Sequence, residues 1–122
     1  MNKYNAIPTV VDGIRFSSKK ESRRYQELKL LEKAGEITML ELQPKFTFPV
    51  YNEFSSGPIK YSSGRKIIYV ADFSYRELHK TDGIFSDWYE DIIEDVKGVV
   101  TPVFKLKAAL MLAVHGIKVR IT

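Results

Sequence analysis

The sequence contains no cysteine and only two histidines, His79 and His115. The absence of cysteine excludes disulfide bonds and thiolate zinc sites, and it fits a reducing compartment. Two histidines are too few for the multi-histidine sites that bind many transition metals. We therefore expect any catalytic metal to be a hard cation that is held by carboxylates.

The sequence also lacks a long hydrophobic run. No apolar segment approaches the roughly 18 residues that are needed to cross a bilayer, and the start of the chain leads into no apolar signal segment. We expect a cytoplasmic protein that has no membrane partner. Because there is no internal repeat, low-complexity tract or linker, the 122 residues predict a single domain that spans residues 1–122.

The net charge of +4 is only a weak indication of an anionic partner. The distribution of the basic residues is more informative than the total. Six of them lie near the starts of the two predicted helices: Lys19, Lys20, Arg23, Arg24, Lys105 and Lys107. Such clusters are typical of phosphate contacts and equally of a solvated helix face, so the sequence leaves both interpretations open.

The pattern of elements predicts an α/β fold with a mixed central sheet flanked by helices. Residues 1–16 are predicted as an irregular arm with a short extended piece before the turn signal Asp12-Gly13. Ser18 and Glu21 match a capping box, and Gly35 ends the first helix. Thr101 and Pro102 begin a second helix, and the remaining elements can be given together. Strands are predicted over residues 36–42, 45–50, 67–75, 88–97 and 117–121, the second helix extends to residue 115, and residues 52–66 and 76–86 are predicted as loops.

Two of the predicted strands carry acidic residues near their ends. Side chains alternate between the faces of a strand, so Asp95 and Lys97 should point one way and Glu94 the other. If the two strands are neighbours, Asp72 and Asp95 converge at one edge of the sheet. Their mutual repulsion would be relieved by Mg²⁺, and Lys97 would then orient or deprotonate a water that attacks a phosphate ester.

Each of these residues also has a purely structural interpretation. Glu21 is explained by the capping box alone, although it falls within the apolar stripe that Tyr25, Leu28 and Leu31 form on its helix, with Arg24 beside that stripe. Asp72 is explained as the residue that ends a strand and starts a turn. Asp95 and Lys97 are explained as an ion pair. The four residues in this order favour the site more strongly than any one of them does.

This order of residues resembles the PD-(D/E)xK nuclease superfamily, in which a helical glutamate precedes a strand ending in Asp and a strand carrying Asp-x-Lys. Four blocks resemble, more closely, a family of small phage proteins described as Holliday-junction-resolvase-like nucleases. These blocks are SSKKESRRY at 17–25, LQPKF at 42–46, YVADF at 69–73 and EDVKG at 94–98. One departure is that Ala71 occupies the position of the proline that precedes the first aspartate in the superfamily.

The resemblance implies a restriction-endonuclease-like αβββαβ core and a DNA endonuclease that depends on Mg²⁺ or Mn²⁺. It implies cleavage of Holliday junctions or other branched DNA during phage recombination or replication, by a homodimer in the host cytoplasm. Asp72, Asp95 and Glu21 would be the metal ligands, and Lys97 would serve the water, so that these four form the catalytic set. Gln43 matches a recurrent position, which we assign to DNA binding. Leu30, opposite the apolar stripe of its helix, is a candidate for the dimer interface.

Two other functions remain open at this point. The first is a non-catalytic DNA-binding protein that has retained the nuclease fold. The second is a small structural or interaction protein whose acidic residues are only surface charge. Binding of a divalent metal through Asp72 and Asp95 distinguishes the nuclease from the second of these.

Overall fold

The fold is seen in a computed structural model, which describes residues 7–51 and 53–122. Two helices and a π-helical turn accompany short and medium-length strands. In chain order the elements are β1 (Thr9–Val11), β2 (Ile14–Phe16), α1 (Lys19–Lys33), β3 (Ile37–Leu42), β4 (Lys45–Thr47), β5 (Pro49–Tyr51), β6 (Ser56–Pro58), β7 (Ile68–Val70), β8 (Phe73–His79), β9 (Trp88–Asp95), α2 (Pro102–Leu110), the π-helical turn Met111–His115 and β10 (Arg120–Ile121).

The central sheet has four strands in the spatial order β10, β9, β8 and β3. β8 pairs antiparallel with β3 and with β9, whereas β10 is parallel to β9. The parallel pair is joined by α2, as a crossover connection requires. The prediction of an α/β fold with a mixed sheet is therefore confirmed. Among the described residues, neither helix combines the length and apolar character needed to cross a bilayer.

The sheet is covered on both faces, because neighbouring residues of β9 pack into different hydrophobic cores. Ile92 belongs to a core with Leu28 of α1, and Ile93 belongs to a core with Phe104 of α2. α1 and α2 therefore lie on opposite faces. The side chains of β9 that point towards α1 are separated by the sheet from the side chains of β9 that point towards α2.

Both helices begin as the sequence predicts. Ser18 Oγ accepts a hydrogen bond from the Glu21 amide at 3.1 Å, and Thr101 Oγ1 accepts one from the Phe104 amide at 3.1 Å. α2 passes into the π-helical turn, which ends at Gly116 with a φ of 70°. That left-handed conformation favours glycine at the end of a helix.

Several predicted boundaries are wrong. The part of the arm after residue 8 is a hairpin, in which β1 and β2 pair around the predicted Asp12-Gly13 turn, whereas residues 1–6 lie outside the described residues. β8 continues to His79, three residues beyond Arg76 where a loop was predicted to begin. Only Arg120–Ile121 of the predicted last strand is paired. The predicted strand 45–50 is divided at Phe48 into β4 and β5, and residues 56–58 pair with β5 as a short strand.

The predicted strand 67–75 is divided at Ala71 and Asp72, where the chain leaves one sheet for another. β7 pairs with β4, and β8 pairs with β3 and β9. Two hydrogen bonds hold this branch: the Gln43 amide donates to the Asp72 carbonyl at 2.9 Å, and the Ala71 amide donates to the Pro44 carbonyl at 3.1 Å. Asp72 consequently lies at the point where the two pairs of strands separate.

Candidate active site

Asp95 and Lys97 lie together at the end of β9, on the face that packs against α2. The Asp95 side chain is almost fully buried, and its Oδ1 lies 3.4 Å from Lys97 Nζ. Lys97 Nζ also lies 4.3 Å from the centre of the Phe104 ring, which attracts a cation through its π electrons. The prediction that these two side chains share a face is confirmed.

Tyr69 is a third member of this group that the sequence analysis did not identify. Its hydroxyl donates a hydrogen bond to Asp95 Oδ2. Burial raises the pKa of Tyr69, and the contact with Asp95 raises it further, so the phenol stays protonated and acts as a donor. The pairing of β7 with β4 brings Tyr69 to this position, and no local pattern in the sequence signals that pairing.

Asp72 faces the same acidic group from the branch point. Its Oδ2 accepts a hydrogen bond from the Val96 amide at 2.7 Å. Burial raises the pKa of Asp72 to about 8, with further contributions from a hydrogen bond to Asp95 and from the negative charges of Asp95 and Glu21. The Val96 amide opposes this shift. Asp72 and Asp95 therefore converge, and the charge of Glu21 acts on Asp72.

Glu21 lies in the first turn of α1 with only 7% of its surface exposed. Its amide takes part in the cap at Ser18, whereas its carboxylate accepts a hydrogen bond from Ser17 Oγ at 2.6 Å. The capping role therefore accounts for the backbone amide of Glu21. It does not account for the buried carboxylate, which contacts Ser17 instead.

These acids supply oxygen donors, which are the ligands that Mg²⁺ and Mn²⁺ prefer. In the part of the chain that the structure describes, no three acidic, histidine or cysteine side chains are arranged to hold an ion as they stand. The carboxylates instead contact Tyr69, Lys97, Val96 and Ser17. Binding an ion would require some of these contacts to be exchanged for metal ligation.

Glu94, directly before Asp95, points to the opposite face and is fully buried. Arg24 of α1 donates two hydrogen bonds to it, from Nε to Oε2 at 2.7 Å and from Nη2 to Oε1 at 2.9 Å. The hydroxyls of Tyr75 and Thr122 donate to the same carboxylate. Burial raises the pKa of Glu94, but the hydrogen bonds from Arg24 and Tyr75 outweigh burial, and the pKa is lowered overall. Glu94 is therefore ionised.

The basic residues predicted to contact DNA occupy different environments. Lys19, Arg23 and Lys105 are exposed, and Lys107 is partly exposed. Lys20 Nζ donates to the carbonyl of Lys97 at 2.9 Å, which joins the start of α1 to the candidate site.

Two of the predicted DNA contacts, Arg24 and Gln43, also make contacts within the protein. Arg24 is turned inward onto Glu94, and its remaining nitrogen Nη1 contacts Glu27 at 3.0 Å. The exposed Gln43 holds the strand branch through its backbone. The position of Arg24 beside the apolar stripe of α1 was the one signal in the sequence for its inward orientation.

Comparison with protein families matches residues 1–121 to a family described as "Protein of unknown function (DUF1064)". Comparisons with curated proteins and with solved structures found no match. The description of this family assigns no activity.

Proposed function

The chain belongs to the DUF1064 family, and we propose that it is a metal-dependent DNA endonuclease that hydrolyses phosphodiester bonds. One observation carries the proposal: two aspartates, Asp72 and Asp95, are brought together in a largely buried environment beside Lys97. Two carboxylates in such a position repel each other, and they favour the binding of a cation or a proton. They also occupy the positions at which the sequence resembles the PD-(D/E)xK nucleases.

The residues have distinct roles in this proposal. Asp72 and Asp95 would hold Mg²⁺ or Mn²⁺, with Glu21 completing or orienting the ligand set. Such an ion would supply an activated water and would neutralise charge on the phosphate. Lys97 would orient the attacking water and stabilise the negative charge that develops on the phosphodiester. Tyr69 holds the second oxygen of Asp95 through its hydroxyl.

The chain order of the central sheet and the helices supports the same proposal. Around this sheet the elements follow one another as α1, β3, β8, β9, α2 and β10. This is the αβββαβ order of the restriction-endonuclease-like core that the resemblance implies. The candidate acids lie on α1, at the start of β8 and at the end of β9.

A branched DNA substrate is the more specific part of the proposal. Lys20 is exposed in the first turn of α1, and its Nζ contacts the Lys97 carbonyl beside the acids, where an approaching phosphate group would meet it. Lys19 and Arg23 are exposed on the opposite side of α1 from Glu21 and would contact more distant phosphates. Resolution of a four-way junction requires two symmetric cuts and hence a homodimer. Leu30, with 68% of its surface exposed on α1, remains the candidate interface residue.

A specific observation favours a second candidate, a non-catalytic DNA-binding protein with the same fold. The carboxylates of the site already have partners within the protein, including Lys97 and Tyr69 for Asp95. Such pairing would satisfy buried acids without an ion. The two candidates differ in whether DNA is cut.

Cleavage assays with Asp95→Asn test the proposal. Labelled four-way junction, fork and linear duplex of equal length are incubated with protein and either Mg²⁺ or Mn²⁺. We expect cleavage that requires the metal and favours branched DNA. In Asp95→Asn we expect cleavage to fall by at least about 100-fold while DNA binding is retained, because a ligand and the partner of Lys97 are lost.

Asp91→Asn is the matched control, because Asp91 lies on the same strand but is exposed and contacts only Arg76 among the ion pairs of the described residues. It should cleave as the wild type does. Metal-dependent cleavage that survives in Asp95→Asn would refute the assigned site. DNA binding without cleavage by the wild type, under every metal condition, would favour the second candidate.

A further inference from the structure

We propose that the ion pair between Arg24 and Glu94 positions the candidate metal ligands by fixing α1 against β9. This inference rests on the proposed function. It assigns Arg24 and Glu94 as positioning residues, which do not contact the metal, the water or the DNA.

The first argument is the position of each partner along its own element. Arg24 lies one helical turn after Glu21, and residues three apart on a helix are neighbours on its surface. Glu94 directly precedes Asp95 on β9. The ion pair therefore connects the neighbour of Glu21 on α1 with the neighbour of Asp95 on β9. A change in its geometry would alter the distance between Glu21 and Asp95.

The second argument is the backbone of Glu94. Its carbonyl oxygen accepts a hydrogen bond from the Asp72 amide at 3.2 Å. Glu94 is thus linked to α1 through its side chain, to Asp72 through its carbonyl and to Asp95 through the chain. All three candidate ligands are connected through this one residue.

The third argument is the geometry of the contact. Two parallel N–H···O bonds between a guanidinium and a carboxylate fix orientation as well as distance. The hydroxyls of Tyr75 and Thr122 satisfy the carboxylate further. An apolar contact of similar volume would stabilise the fold at least as well but would leave the angle between helix and strand less defined. The structure thus places a directional contact between the elements that carry Glu21 and Asp95.

The test compares two double variants with the wild type. Arg24→Met with Glu94→Gln removes both charges, so that neither is left buried without a partner. The control, Arg76→Met with Asp91→Asn, removes another ion pair, of 3.1 Å, which joins β8 to β9 at exposed positions. The measurements are the Mg²⁺ concentration that gives half-maximal cleavage of a branched DNA, and Mn²⁺ affinity by calorimetry.

We expect the Arg24/Glu94 variant to need about 10-fold to 100-fold more metal, as is typical when residues that support metal ligands are changed. The Arg76/Asp91 control should stay within about twofold of the wild type, because its ion pair is exposed and contacts none of the candidate ligands. Arg24→Lys keeps the charge but not the paired hydrogen bonds, and it should have an intermediate metal requirement. Circular dichroism and thermal melts establish that each variant is folded.

The outcomes separate the two proposals. A folded Arg24/Glu94 variant whose metal requirement matches that of the control overturns the positioning role and leaves the nuclease proposal intact. If that variant does not fold, a wild-type metal requirement in Arg24→Lys overturns the role instead. If the wild type neither binds Mn²⁺ nor cleaves DNA with metal, the proposed function fails, and the positioning role fails with it.

Discussion

Asp72 is held in surroundings that favour its protonated form. Burial is the first cause, and the neighbouring Asp95 the second, so the pKa of Asp72 rises from an ordinary value of 3.8 to about 8. A carboxyl whose pKa is raised by folding contributes stability that is complete below its ordinary pKa. That contribution is lost as the pH rises through the raised value. In the absence of metal, the protein should therefore lose stability between about pH 4 and pH 8.

Asp72→Asn should remove this loss of stability at high pH. The asparagine oxygen can still accept the hydrogen bond from the Val96 amide, and its NH₂ group can donate to Asp95 without any titration. In EDTA at pH 9, we expect the melting temperature of Asp72→Asn to exceed that of the wild type by a few °C, with little difference near pH 4. Asp91→Asn, at an exposed position, should show no such rise. Equal melting temperatures of Asp72→Asn and the wild type at pH 9 would contradict the assigned environment.

At the residue scale, the sequence predicts the direction of side chains within one strand. It does not predict contacts between side chains of different strands. The common face of Asp95 and Lys97, and the opposite direction of Glu94, follow from a period of two. The hydroxyl of Tyr69 reaches Asp95 only because β7 pairs with β4. Arg24 resembled a phosphate contact because its charge is visible in the sequence, whereas its buried partner on β9 is not.

Both helices begin with a hydroxyl side chain that accepts a hydrogen bond from an amide of the first turn. Only α1 carries a candidate metal ligand, Glu21. Ser18 and Thr101 each accept a hydrogen bond from an amide at 3.1 Å. The cap at Ser18 directly fixes the backbone of Glu21. The cap at Thr101 fixes the backbone of Phe104, whose ring contacts Lys97.

Ser18→Ala and Thr101→Ala should each cost about 1 kcal/mol of the free energy of unfolding, as is typical for the loss of such a cap. Ser18→Ala should in addition raise the metal concentration for half-maximal cleavage, because the turn that holds Glu21 is loosened. Thr101→Ala should leave that concentration unchanged. Urea unfolding measures the first effect, and metal titrations of cleavage measure the second. Equal metal requirements in the two variants would show that the cap does not influence the site.

Element by element, the sequence predicts the helices better than the strands. Ser18, Thr101, Pro102 and Gly116 are local signals, and the helix ends lie close to where those signals occur. The division of the predicted strand at Asp72 has no such signal, because a branch arises from a change of pairing partner. Gln43 adopts a φ of 52° there, a value that is uncommon for a residue with a side chain and that its sequence context did not indicate.

Across the whole molecule, the exposed basic side chains at the start of α1 are expected to contribute to the affinity for DNA. Removal of a phosphate contact reduces the salt dependence of binding by about 0.9 per contact for duplex DNA. Lys19→Ala with Arg23→Ala should therefore lower the slope of log affinity against log salt by up to about 1.8. Lys33→Ala with Lys118→Ala removes the same charge from other exposed positions, and it should leave the slope nearly unchanged. Equal slopes in the two double variants would exclude Lys19 and Arg23 as phosphate contacts.

The opposite directions of Glu94 and Asp95 have a consequence for protein engineering. One extra residue inserted after Ile93 would exchange the two carboxylates between the faces of the sheet. The guanidinium of Arg24 would lose its partner, and the longer glutamate side chain would enter the space now occupied by Asp95. Length changes in this strand should therefore be tolerated far less than in the exposed segment 82–87 that precedes it. That segment is the better place to graft a peptide.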